Sequence, residues 1–126
     1  MRACHLVLVS VVALAAGCAS RSATDPQYEE NPVNHEVSAD DRAATKSTAP
    51  VSSDKVVLWV NGLGCPLCAT NADRQLKRMK GVASVDTDIS TGKITVMLSS
   101  SLRPSPAQFG EAVEDAGFTL MKVEQQ

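Results

Sequence analysis

The sequence predicts an α+β sandwich over residues 54–126: a four-stranded antiparallel sheet with two helices on one face, in the order β-α-β-β-α-β. Three observations predict it. Apolar residues alternate with polar ones in several short runs, the signature of strands. Two longer runs between them repeat their apolar residues at helical spacing instead. Glycines and turn sequences fall where those runs end.

In order, Val56, Leu58 and Val60 alternate with Val57, Trp59 and Asn61, a strand from Lys55 to Val60. Leu67 to Lys80 reads as a helix, with Ala69, Ala72, Leu76 and Met79 on one face and Asp73, Arg74, Lys77, Arg78 and Lys80 on the other. The basic side of that helix reads as a solvated face. Gly81 stands where a helix stops. Val85, Thr87 and Ile89 alternate, Ser90-Thr91-Gly92-Lys93 forms a turn, and Ile94, Val96 and Leu98 alternate again, giving a hairpin. Ser105-Pro106-Ala107-Gln108 is a helix start, in which Ser caps, Pro fits the first turn and Gln reaches back to the cap. Phe109, Ala112, Val113 and Ala116 form its apolar stripe, Gly117 ends it, and Phe118 to Val123 is the last strand. Right-handed crossovers place both helices on one face, a ferredoxin-like sandwich. The other face is then open, and Val57 and Trp59 are expected to point to it; scattered exposed apolar residues are the commoner case, with a contact surface at the exposed Trp as the alternative.

Two further segments precede this domain. Met1-Arg2 gives a positive start, and Leu6 to Ala16 is apolar except for Ser10. That run is shorter than the about 20 residues of a membrane-spanning helix and reads as the core of a signal peptide. It ends in Leu14-Ala15-Ala16-Gly17-Cys18, small residues followed by Cys. This resembles the lipobox of bacterial lipoproteins, with Leu14 one place earlier than the family's usual Leu. The resemblance implies that residues 1–17 are removed, that Cys18 is lipidated, and that Cys4 and His5 are lost with the signal. The alternative is an ordinary signal cleaved at an Ala-x-Ala-like site. Several acyl chains anchor stably where one does not. Ala19 stands where that family places an inner-membrane retention Asp, so the resemblance implies the cell envelope, on the outer membrane facing the periplasm or at the cell surface. Residues 18–53 are rich in Ser, Thr, Pro, Asn and acidic side chains and read as a disordered tether, with His35 alone and solvated within it.

Composition removes other classes. The net charge of -2 on 126 residues gives no electrostatic footprint for nucleic acid, and aromatics at 3% are too few for base-stacking platforms. With Cys4 and Cys18 in the export segment, Cys65 and Cys68 are the pair left in the folded part. Ser-His-Asp, paired-carboxylate and phosphate-loop patterns are absent, so the chain reads as a non-enzyme.

The chemistry concentrates in Asn61-Gly62-Leu63-Gly64-Cys65-Pro66-Leu67-Cys68, between the first strand and the first helix. Thiols at C-x-x-C spacing on such a loop can meet on one soft metal ion or on each other as a disulfide. The stretch resembles the G-M-x-C-x-x-C loop of heavy-metal-associated domains, found in copper chaperones, in the N-terminal modules of metal-pumping ATPases and in the periplasmic mercury-binding protein. The likeness runs from Lys55 to Val123 and includes Gly81-Val82, Thr91-Gly92-Lys93 and Glu114-Asp115-Ala116-Gly117-Phe118. It implies a monomer in which Cys65 and Cys68 hold Cu(I), or Hg(II) or Ag(I), for sequestration or transfer to a metal-transporting ATPase or another metal-binding protein. It departs at Leu63, where the family has Met as a core plug, and at Gly64, where Thr or His is usual. Phe118 matches the aromatic that the ATPase and mercury-binding members carry near the loop.

Physical chemistry supports that donor set. The thiolate is the ligand, and a free thiol is mostly protonated at neutral pH. Cys68 is expected in the first turn of the helix, where unpaired amides and the helix dipole favour negative charge. Cys65, on the loop, is expected to capture or release the ion while Cys68 holds it. Structural zinc takes four ligands, so Zn(II) fits this pair less well than a soft two-coordinate ion. Two alternatives stand beside the metal reading. One is a thiol-disulfide redox protein using Cys65 and Cys68, although thioredoxin-like enzymes need another fold around the motif. The other is a protein-interaction module using the open sheet face, with a vestigial metal site.

Overall fold

The computed structural model describes residues 31–99 and 101–126. The signal segment, Cys18 and the start of the expected tether lie outside the described residues. Seven elements follow one another: α1 (Ala39–Ala44), β1 (Lys55–Asn61), α2 (Pro66–Lys77), β2 (Val82–Asp88), β3 (Lys93–Leu98), α3 (Pro106–Asp115) and β4 (Thr119–Gln125). The strands form one antiparallel sheet in the order β2-β3-β1-β4, which is the expected ferredoxin-like arrangement.

Strand alternation decides which residues enter the core. Val56, Leu58 and Val60 of β1 and Ile94 and Val96 of β3 are fully buried, because these two strands are the central pair of the sheet. Leu76 and Ala72 of α2 and Phe109 and Val113 of α3 meet them from the helical layer. The capping box predicted for α3 is present: Ser105 Oγ accepts from Gln108 N at 3.4 Å, and Gln108 Oε1 accepts from Ser105 N at 2.9 Å. α2 is shorter than expected. It ends at Lys77, and Arg78 and Met79 continue as a tighter turn that bonds back to Gln75 and Leu76. In the β2–β3 turn, Asp88 collects bonds from Ser90 N, Ser90 Oγ and Thr91 Oγ1 at 2.9, 2.5 and 2.7 Å. These hydroxyls hold its carboxyl below the usual range.

Two expectations are corrected here. The disordered tether does not extend through residues 31–53, and the second sheet face is not open. Ser38 caps α1 by accepting from Asp41 N at 3.1 Å, and α1 packs against β4. β4 is an edge strand of the sheet, and α1 is the element of the N-terminal segment that packs against it. Lys122 Nζ on β4 lies 3.6 Å from the Asp41 carboxylate. Ala107 N at the start of α3 donates to Ser47 O at 3.0 Å, and Val51 N donates to Pro104 O at 3.0 Å. Val51 is 2% exposed and belongs to the main core. On the sheet face away from the helices, Val57 and Met121 are each only 7% exposed. Trp59 is half-buried there, with the His35 ring 5.0 Å away between centroids. Lys93 Nζ sits 4.1 Å from the Trp59 ring centroid, and Trp59 Nε1 donates to Glu124 at 3.0 Å. The segment is polar in composition, yet its backbone bonds, the partly buried Val33 and Val37 and the buried Val51 attach it to the sandwich.

Two outcomes test this layer. Val51→Ala removes two buried methyl groups and is expected to lower the unfolding free energy by about 2 kcal/mol in denaturant titration. A residue in a solvated tether would leave it within about 0.5 kcal/mol. The second outcome concerns pH. The Ser38 hydroxyl, and after it Lys122, hold the Asp41 carboxyl below its usual range. Folding therefore favours the ionised form, and the contribution is present above the ordinary Asp range and lost as pH falls through the lowered one. Protection of the residue 39–44 amides, taken relative to their intrinsic exchange at each pH, is expected to fall on acidification before that of the sheet, whereas simultaneous loss would contradict the docking of α1 through Asp41.

Candidate metal centre

The loop from Gly62 to Cys65 carries the chain from β1 into α2. Leu63 is fully buried in the main core, so it plugs the space behind the loop as a Met would. Pinning Leu63 leaves the following residues at the surface. Cys65 is the N-cap of α2: its backbone is extended, with φ -141° and ψ 155°, and its Sγ accepts from Cys68 N at 3.1 Å. Pro66 begins the helix, where its missing N–H costs nothing. Cys68 therefore lies in the first turn, as expected, with its backbone amide directed at the Cys65 sulfur.

Cys65 and Cys68 are joined as a disulfide, with Cα atoms 5.1 Å apart. This is one of the two outcomes open to a C-x-x-C pair. Reduction would free two soft sulfur donors at the same place. Among the described residues, no cluster of three or more His, Cys, Asp or Glu side chains is placed to hold a metal ion. The donor set that this loop offers is thus a pair of sulfurs, which suits a soft ion of low coordination number and not a four-ligand structural zinc.

An open groove of about 410 Å³ runs beside the pair, lined by Leu67, Asn71, Arg74, Ala116 and Phe118 as well as both cysteines. Leu67 is 78% exposed at its rim. Phe118 stands at the loop, as the sequence suggested: a Cβ placed on Gly62 would lie 3.2 Å from its ring. Asn71 Nδ2 donates to Ala116 O at 2.8 Å and ties α2 to the end of α3 along the floor of this groove. Sequence reasoning missed that bond. The available signal was a polar residue beside the apolar stripe of α2. The basic side chains Lys77 and Arg78 are exposed and satisfied locally, Lys77 with Asp73 at 2.8 Å and Arg78 with Gln75 at 3.3 Å.

On the other side of the pair, Pro32 joins Gly62, Gly64, Cys65 and Cys68 around a smaller cleft of about 160 Å³. Val33 and His35 follow it along the loop and β1. His35, expected to be solvated, instead bonds through its backbone N to Asn61 Oδ1 at 2.6 Å and places Nε2 3.2 Å from Gly92 O. Val33, His35 and Val37 alternate with Asn34 and Glu36, a short strand-like signal inside a polar stretch that the sequence reading passed over.

The fold and the site define a class: small sandwiches that present a vicinal thiol pair where a strand gives way to a helix. The model of the heavy-metal-associated domain matches residues 57–119, half of the chain, and the chain belongs to that family. Over 72 residues it is 31% identical to copper-transporting ATPase 2 of Rattus norvegicus, covering 57% of this chain and 5% of that protein. Over 65 residues it is 28% identical to the copper chaperone CopZ of Staphylococcus aureus strain JH9, covering 52% of this chain and 94% of CopZ. This chain thus spans only a small part of the ATPase but nearly all of the chaperone. Among solved structures it is similar to oxidised MerP from Ralstonia metallidurans CH34, at 27% identity and a TM-score of 0.50, over 56% of this chain and 97% of that one. It is also similar to the yeast copper transporter domain CCC2A, at 26% identity and a TM-score of 0.51, over 57% of this chain and 97% of that one.

Proposed function

We propose that this protein is a non-enzymatic metal-binding module that holds a soft ion between the reduced sulfurs of Cys65 and Cys68. Cu(I) is the first candidate, with Hg(II) and Ag(I) as chemically equivalent cargo. The observation that carries this reading is the pair itself, with Cα atoms 5.1 Å apart at the capped start of α2, in a member of the heavy-metal-associated family. Two thiolates at a helix N-terminus gain from its unpaired amides and dipole, and they leave room for an incoming partner thiol. The ion can then pass by ligand exchange without being released to water. A metal-transporting ATPase or another two-thiol protein has the chemistry to receive it. The likeness to copper-transporting ATPase 2 and to CopZ supports copper, and the likeness to MerP keeps a mercury reading in view. We place the module in the cell envelope as a monomer, anchored through lipid on Cys18 after loss of residues 1–17, because Leu14-Ala15-Ala16-Gly17-Cys18 follows an apolar run.

A second reading has one observation in its favour, the Cys65–Cys68 disulfide. A protein that passes oxidising equivalents to dithiols would carry this bond in its resting state.

The two readings separate in one experiment. The chain is reduced without oxygen and titrated with Cu(I), Hg(II) and Zn(II) against a competing chelator, as wild type and as Cys65→Ser and Cys68→Ser. Tight one-to-one binding of the soft ions, weaker binding of Zn(II) and a loss of at least 100-fold in either variant is expected (about 3 kcal/mol). Oxidation of a dithiol substrate by the disulfide form, with no soft-ion affinity after reduction, would establish the second reading instead.

A further inference from the structure

We propose that Pro32 and Val33 are positioning residues of the thiol site. Their segment is a strap that clamps the loop Gly62–Gly64 and so limits how freely Cys65 moves. The consequence for metal exchange rests on the function proposed above, but the clamp itself does not.

Val33 bridges the loop in both directions, its N donating to Leu63 O at 3.2 Å and its O accepting from Gly62 N at 3.3 Å. Asn61 extends the same pairing with its side chain: Oδ1 accepts from His35 N at 2.6 Å, and Nδ2 donates to His35 O at 3.4 Å. The strap is thereby fixed to residues on both sides of the point where β1 ends. His35 then locks it to the sheet through Trp59 and Gly92.

Two glycines lie against this segment, Gly92 with a left-handed φ of 63° that favours glycine by itself. A Cβ on Gly92 would lie 2.9 Å from His35 Nε2 and 3.0 Å from Val33 Cβ. A Cβ on Gly64 would lie 3.1 Å from Pro32 Cα and 3.2 Å from Pro32 N. Gly64 has an ordinary φ, outside the left-handed region, so its backbone would accept a side chain. What leaves little room there is the strap. The strap also narrows that side of the cysteine pair to the 160 Å³ cleft, while the 410 Å³ groove on the Leu67 and Phe118 side stays open. Ion and partner thiol therefore have one broad approach, and loosening the strap provides a second.

The test uses the full chain as Gly64→Thr, Val33→Pro and the double variant, with circular dichroism confirming the sheet. The side chain added by Gly64→Thr would push Pro32 away, and Val33→Pro removes the donor to Leu63 O. In the reduced, metal-free state, exchange of the Gly62 amide is expected to rise about tenfold in each single variant, as befits the loss of one or two backbone hydrogen bonds. The double variant is expected to show no further rise, because both substitutions release one device. Removal of Cu(I) by a chelator is expected to quicken in the same variants. Unchanged Gly62 exchange, fully additive effects, or faster exchange with unchanged Cu(I) removal would each overturn the proposal. If the reduced chain binds no Cu(I), the metal reading has failed by itself. The rate at which dithiothreitol reduces the Cys65–Cys68 disulfide, passing to its own cyclic disulfide, then replaces ion removal as the readout. Acceleration in the variants supports the strap, and no change overturns it.

Discussion

The burial of Leu63 is the constraint on which the site depends. The chain must leave an extended strand, turn, and start a helix within a few residues, and it must do so with both sulfurs still reachable, Cys68 half-buried against the core. A fully buried side chain between Gly62 and Gly64 fixes the loop from below. The helix can then begin at Pro66 with Cys65 as its cap, and Cys68 arrives one turn later facing the same sulfur. Removing that anchor would leave two thiols on a floppy connection, with no reason to converge. The four-stranded sheet and the packed pair α2 and α3 serve this end by giving Leu63 a core to enter.

A second layer lies on the sheet face that would otherwise meet water. Trp59 is the centre of it. The indole takes His35 against its ring and Lys93 above it, and its N–H reaches Glu124. Of these contacts, His35 comes from the chain's own N-terminal segment, which thereby docks on the half-buried indole. The same segment packs α1 against β4, and it contributes Val51, bonded through its N to Pro104 O, to the core. It begins at the cysteine loop and ends at the start of α3, so both ends of the sandwich are tied by one stretch of chain.

The sandwich was legible because its elements are written in local periodicities. Alternation at Val56, Leu58 and Val60 and the Ser105-Pro106-Ala107-Gln108 cap each depend on neighbours a few residues away, and each appears where expected. Cys65, Cys68, Leu63 and Phe118 were legible for the same reason, since the strand-loop-helix context places them. The N-terminal layer was not. Its attachment runs through backbone groups of Val33, Ser47 and Val51 and through the side chain of Asn61, with partners far along the chain, and the alternation of Val33, His35 and Val37 is too short and too polar to announce a docked segment. A polar segment in isolation cannot bury enough to fold, but a segment that borrows an existing sheet needs far less. Gly64 was visible as a departure, and only the position of Pro32 gives it a physical reason.

We propose that the reduced sulfurs of Cys65 and Cys68 are together the ligands of a soft ion. X-ray absorption at the copper edge of the Cu(I)-loaded full chain tests it most directly. A first shell of sulfur alone is expected, with two scatterers, that disappears when both cysteines are replaced by serine. A shell containing nitrogen or oxygen donors, or one that persists without the cysteines, would contradict it.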